Sequence, residues 1–159
     1  MDDQRFRKAM GKFATGVTIV TTKTGEDIHG MTANAFMSVS LNPKLVLISI
    51  DEDANMNRYI QDEKRFAVSI LHEKQKYLSA YFAGQVKERK TIAFANFLEM
   101  PVIKEALVTL VCDVADTIVA GDHTLFLGKV QDLAINDGLP LTFFDGDYQQ
   151  FATDIKLDG

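Results

Sequence analysis

At 159 residues, with 47% apolar and 25% charged side chains, the chain has the size and make-up of one folded domain and not of a disordered or fibrous protein. Its formal charge of -5, from 22 acidic against 17 basic residues, repels a phosphate backbone and argues against nucleic acid as a partner. The one cysteine, Cys112, excludes an intrachain disulfide and any two-cysteine metal or redox site, which suits a reducing cytoplasm.

The chain opens MDDQRFRKAMGKF, with acidic residues first and no apolar signal-peptide core. The aliphatic run from Leu45 to Ile50 is far below the ~20 residues of a membrane span. Both point to an untargeted, soluble, cytoplasmic protein without a membrane partner. Phe6, Met10 and Phe13 recur at helical spacing, with Asp2 and Asp3 in the first turn, and Gly16 is placed to end this region. VTIVTT (17–22) is a β-branched strand, and the Gly25 turn sends the chain back through IHGMTANAFMSVSL, whose small and polar residues are odd for plain core. LVLISI (45–50) reads as a strand covered on both faces. The following DEDANMNRYIQDEKR is a helix with acids first and bases last, as the helix dipole prefers. RFAVSIL (65–71) is a further strand, and EKQKYLSAYFAG (73–84) is a helix stopped by Gly84. The charged stretch 87–90 reads as a solvated loop. Two long β segments, 106–120 and 123–135, meet at the Gly121–Asp122 pair, the clearest hairpin signature in the chain. The polar residues beyond Phe151 are expected to fray.

No linker or repeat interrupts this order, so residues 1–159 are expected to form one domain. Strands with short interspersed helices and no regular βαβ alternation predict a mainly β fold, a β-barrel with helical decoration. No GxGxxG is present, so any dinucleotide site lies outside a Rossmann fold.

FRKAMGKFATGVTIVTT, the HGMTANAFMSVSLNPKLVLISI block, FAG at 82–84 and AGDHTLFLGKV together resemble the short-chain flavin reductases, the reductase components of two-component monooxygenases acting on phenols or 4-hydroxyphenylacetate. The resemblance runs from Phe6 to about Tyr148, in the family's order. It implies a split β-barrel with a Greek-key core, a homodimer with two flavin sites near the subunit interface, and a separate flavin-dependent monooxygenase as partner. FAD is the flavin expected first, with FMN also open. NADH is expected before NADPH, since no arginine pair stands beside His123 to mark a 2′-phosphate site.

Hydride transfer between nicotinamide and flavin is chemistry of the two cofactors, so the protein needs a slot and no nucleophile, and no catalytic side chain is assigned. Thr32-Ala33-Asn34-Ala35 suits such a slot: the alanines let a planar ring approach, and Thr32 and Asn34 offer hydrogen bonds. By resemblance this is the flavin loop; as bare sequence it is equally a tight strand crossing. Ser38 and Ser40 alternate with Val39, which puts both hydroxyls on one face, toward either the ribityl-phosphate or solvent. Gly16 and Val17 lie where resembling proteins bring the first strand to the flavin, although Gly16 also reads as a helix stop. Ser49, Ile50 and Asn55 are candidates for the ribityl-phosphate, Asn55 also fitting a solvated helix face. The resemblance sets Phe82, Ala83 and Gly84 against the flavin, and His123 on the pyridine nucleotide. Tyr148 suits stacking on the nicotinamide or plain packing.

His29, His72 and His123 are too scattered for a metal site, and none is expected. Cys112 sits in an apolar alternating strand and reads as a buried, inert thiol. The expected activity is hydride transfer from NADH to FAD or FMN, with reduced flavin passed to the oxygenase. Two rivals stand beside it. A pyridoxine-phosphate-oxidase-like enzyme would need a basic cluster near the flavin loop, which is not seen, and a non-catalytic flavin-binding split-barrel protein would bind flavin without NADH turnover.

Overall fold

Strand is the commonest regular structure in the chain, as its β-branched and aromatic runs favour. The computed structural model describes residues 1–87 and 90–154, so Glu88 and Arg89 of the charged loop and the last five residues of the polar tail lie outside the described residues. In chain order the elements are α1 (Asp3–Met10), β1 (Thr15–Gly16), β2 (Thr18–Thr24), β3 (Asp27–Ala33), β4 (Phe36–Leu41), β5 (Lys44–Asp51), α2 (Asn55–Glu63) and β6 (Arg65–Ile70). A 3-10 turn (Glu73–Gln75) leads into α3 (Lys76–Phe82). β7 (Phe94–Phe97), β8 (Met100–Ile103), β9 (Val108–Ala120), β10 (His123–Ile135), β11 (Thr142–Phe144) and β12 (Asp147–Gln149) complete the chain.

The main sheet is antiparallel in the order β3-β2-β6-β9-β10-β5-β4. Its two edge strands, β3 and β4, are consecutive in sequence, so Asn34 and Ala35 alone join opposite edges and bring them to one corner. The β9–β10 hairpin forms at the expected place, with Gly121 at φ +64°, a conformation glycine adopts at little cost. Two short elements lie beside the sheet: the β7–β8 hairpin and a small sheet in the order β1-β11-β12.

One core cluster packs Ile48, Ile50, Phe66, Val68, Cys112 and Phe126 against Met56 and Ile60 of α2. Each of the aliphatic, phenylalanine and methionine side chains among them contributes about 1.5–3 kcal/mol by leaving water. A second cluster holds Val17, Ile19, Leu71 and Leu141 under the half-buried rings of Phe82, Phe143 and Tyr148. The strand covered on both faces is therefore β2, with Val20 in the first cluster and Ile19 in the second. β5 instead alternates, its Val46, Ile48 and Ile50 buried and its Leu45, Leu47 and Ser49 half-buried.

Three further local expectations are corrected. α1 stops at the Gly11 cap, leaving Phe13 outside it, and Gly16 lies in β1 opposite Thr142 rather than ending a helix. α2 begins only at Asn55, so its acidic run Asp51–Asp53 precedes it and Asp62 and Glu63 fall in its last turn, against the dipole; burial of Met56 and Ile60 and a left-handed Lys64 cap define this helix. Ser38 and Ser40 do not share a face. A β-bulge at Val39 pairs Ser38 with Val46 and Ser40 with Leu45, and those partners point to opposite sides.

Cys112 is fully buried, as expected. Burial, with the Asp113 charge adding to it, pushes its thiol from 9.0 up to about 12. Because the folded value is the raised one, the stability this thiol contributes is complete below pH 9.0 and is lost as pH climbs toward 12. Folded protein at pH 8 is expected to leave a disulfide-exchange reagent unreacted, one thiol appearing on unfolding; prompt labelling of the folded chain would contradict the burial.

Candidate active site

Phe143 and Tyr148, two of the half-buried rings of the second core cluster, border a small cleft of about 160 Å³ that Val17, Thr32, Asn34, Ser79, Ala83 and Gln85 also line. Val17 reaches it from the link between β1 and β2, Thr32 from β3, Ser79 from α3, Ala83 from the α3 cap and Tyr148 from the β11–β12 hairpin. Five residues picked from the sequence, Val17, Thr32, Asn34, Ala83 and Tyr148, thus meet in one place.

Two hydrogen bonds fix this arrangement, and both run through Ser79. The Thr32 hydroxyl donates to the Ser79 carbonyl at 2.6 Å, and the Ser79 and Tyr148 hydroxyls lie 2.6 Å apart. Phe143 meets Tyr148 edge-on at 5.4 Å, and the Lys76 ammonium stands 5.2 Å over the Tyr148 ring. Ser79 was missed in the sequence; the one signal it gave is a small hydroxyl residue amid the aromatic residues of YLSAYF. Since Thr32 is committed to Ser79, the donor left for a ligand in this loop is the exposed Asn34 side chain, which has no partner among the described residues.

Around the Asn34 corner the cleft runs into a second of about 660 Å³, which shares Asn34 and Phe143 and adds Ala35, Phe36, Met37 and the α1 face of Phe6 and Met10. Ala35 accepts from the Ser49 amide at 3.2 Å, so Ser49 backs this corner. Ala33 does not face the slot: its side chain belongs to the core and its carbonyl takes the Thr18 hydroxyl at 2.5 Å. A Cβ at Gly16 or Gly84 would meet nothing within 4 Å, so both backbones border open space.

The other candidates sit elsewhere. Asn55 and Phe82 line a third cleft, between α2 and α3. The Ile50 side chain is fully buried in core, and its carbonyl is taken by the Asn57 amide at 3.3 Å. Ser38 and Ser40 lie on the edge strand β4. His123 opens β10 opposite Asp51, beside the turn into α2, and lines none of these clefts. Its Nδ1 lies 2.8 Å from Asp122 Oδ1; that hydrogen bond, and then the imidazole's charge, hold the exposed Asp122 carboxyl below its ordinary range.

Among the described residues no helix is long and apolar enough to cross a membrane, and no cluster of His, Cys, Asp and Glu could hold a metal ion.

Residues 10–152 match the family described as flavin reductase like domain. An NADH-dependent flavin reductase from Rhodococcus sp. is 47% identical over 146 residues, covering 90% of this chain and 83% of that protein. The reductase component of 4-hydroxyphenylacetate 3-monooxygenase from Thermus thermophilus is 38% identical over 150 residues, covering 94% and 97%. The solved structure of flavin reductase PheA2 in its native state superposes with a TM-score of 0.94 at 55% identity, covering 96% of this chain and all of that one.

Proposed function

Since the chain belongs to the flavin reductase family, we propose that it is an NAD(P)H:flavin oxidoreductase that takes hydride from NADH, reduces FAD or FMN, and supplies the reduced flavin to a separate flavin-dependent monooxygenase. The observation that carries this reading is the convergence of Val17, Thr32, Asn34, Ala83 and Tyr148 on one cleft in a chain that matches flavin reductases over nearly its whole length.

The residues fit a flavin. The Asn34–Ala35 corner offers an unpaired amide side chain beside a small residue, Gly16 and Gly84 leave their backbones bare, and Phe143 gives an apolar floor. A bound flavin supplies the hydride acceptor. Asn34 holds the polar edge of the ring, Ala35 and Ala83 permit close approach, and Val17 and Gly16 border the ring on the β1–β2 side. Ser49 and Ser40, on one side of the β4–β5 pair, follow the ribityl chain, with Asn55 beyond. Tyr148 covers the open ring face where the nicotinamide enters, and His123 orients the pyridine nucleotide from the β10 end.

The finer architecture belongs to the same proposal. The edge strands that meet at Asn34–Ala35 suit a split β-barrel, and the exposed Phe6, Met10, Phe13, Met37, Val39 and Leu41 suit a homodimer interface beside the flavin. The absence of a long apolar helix among the described residues agrees with a cytoplasmic enzyme.

Turnover of NADH by the purified chain with FAD, FMN or riboflavin tests the activity: flavin-dependent oxidation is expected, and none with any flavin would overturn the proposal. Ser79→Ala leaves the Tyr148 hydroxyl without its partner, worth about 1 kcal/mol. Steady-state kinetics are expected to show kcat/KM for NADH falling about fivefold, Tyr148→Phe to do the same, and the double variant to add little, because both remove one interaction.

A further inference from the structure

The β11–β12 hairpin that carries Tyr148 is lightly anchored. Its strands are three residues each, β12 pairs with β11 alone, and β11 joins β1 through only the two pairs Thr15 with Phe143 and Gly16 with Thr142. A two-stranded ribbon of that size is marginal by itself. On its inner side Phe143 and Tyr148 pack against the second core cluster, and the Tyr148 hydroxyl meets Ser79. At its turn the hairpin is held by the end of α1. Asp145 and Gly146 both take positive φ, +52° and +80°, as a type I′ hairpin turn requires. The Asp145 amide donates to the carbonyl of Gly11, the α1 cap, at 2.7 Å. The Lys12 ammonium donates to Asp145 Oδ2 at 2.6 Å and stands 5.5 Å over the Phe144 ring. These partners lie 133 residues apart in the chain, and Tyr148 follows Asp145 by three positions, across the turn.

We infer that Lys12 and Asp145 are positioning residues for the hydride transfer: their pair clamps the β11–β12 turn to α1 and so holds the Tyr148 ring where the nicotinamide enters. The inference rests on the flavin reductase reading and deepens it. Neither side chain lines any of the three clefts, so both act through Tyr148. At 55% and 43% exposure their ion pair adds little to the stability of the whole domain. Its effect is local, on a hairpin with few other anchors. A Tyr148 ring that wanders leaves only part of the population competent to take NADH, which raises the apparent KM and leaves the transfer step itself unchanged. The clamp also links the two clefts, since α1 borders the apolar one with Phe6 and Met10 and Tyr148 borders the other.

Steady-state kinetics with NADH, thermal melts and hydrogen exchange over residues 142–149 test this in the whole chain. The variants are Asp145→Asn, Lys12→Gln, Lys12→Arg and the double variant Asp145→Asn with Lys12→Gln; asparagine tolerates the positive φ and so keeps the turn. Asp145→Asn and Lys12→Gln are each expected to raise the NADH KM about threefold at unchanged kcat, to quicken exchange within 142–149 alone, and to leave the melting temperature within about 2 °C. Lys12→Arg should keep the parent values, and the double variant should be no worse than either single one, because both remove one interaction. Salt at about 0.5 M should bring parent and variants together, since the pair is exposed. An unchanged NADH KM in both single variants would overturn the inference, as would a raised KM with exchange over 142–149 unaltered. A melting temperature lowered by more than about 5 °C would overturn it too, by making the pair a support of the whole fold. Failure of the reductase reading has its own signature: the parent protein shows no flavin-dependent turnover, whatever the exchange result.

Discussion

Gly128→Val is expected to lower the melting temperature by roughly 6–12 °C, from an overpacking cost of about 3 kcal/mol in a domain of this size. A Cβ at this point of β10 would lie 2.5 Å from the Phe66 ring and 2.8 Å from the Cys112 Cβ, and both neighbours are fully buried. Neither can retreat, because Phe66 on β6 is paired directly with Cys112 on β9 and both belong to the main core. Glycine here is a packing requirement of three adjacent strands. Trimming the obstacle with Phe66→Leu in the same chain should recover part of the loss, a coupling that thermal melts of the single and double variants would show. An unchanged melting temperature for Gly128→Val would contradict the register of β9 and β10.

Asn34→Leu is expected to act in the opposite way, with the fold intact and flavin binding weakened by about tenfold or more. The side chain is exposed and has no partner among the described residues, so its removal breaks nothing internal. It lines both the Thr32 cleft and the apolar cleft beside α1, so leucine removes an amide's hydrogen bonds and adds bulk where the ring must lie. Flavin fluorescence titration alongside a thermal melt reads both arms. Wild-type affinity in a folded Asn34→Leu protein would move the flavin away from this corner.

What the sequence disclosed and what it hid divide along local and non-local determinants. The β9–β10 hairpin was legible because the Gly121–Asp122 turn is a local signal between long β segments. The helix expected over 73–84 was legible for the same reason, although its first residues form a 3-10 turn and the α-helix proper is Lys76–Phe82, with Gly84 just past its Ala83 cap. By contrast, β11 and β12 are three residues each and β7 and β8 four, too short to show a period, yet β12 carries Tyr148 to the site. Which way a side chain points depended on neighbours far along the chain. The bulge opposite Val46 and Leu45 split Ser38 from Ser40, and Ala33 turned inward because the core needed it. The apolar spacing of α1 was read correctly as a helix face, but no residue of that helix is buried within the chain. Ser79 stayed hidden because its role comes from Thr32 and Tyr148, 47 and 69 residues away.

The activity is tested most sharply by an anaerobic reaction in which NADH is mixed with one equivalent of FAD and a catalytic amount of the protein, while nicotinamide and flavin absorbance are followed together. NADH loss and flavin bleaching are expected to proceed at one rate with a stoichiometry of one to one, and neither is expected without the protein. Bound flavin that stays oxidised in the presence of NADH and NADPH would contradict that activity.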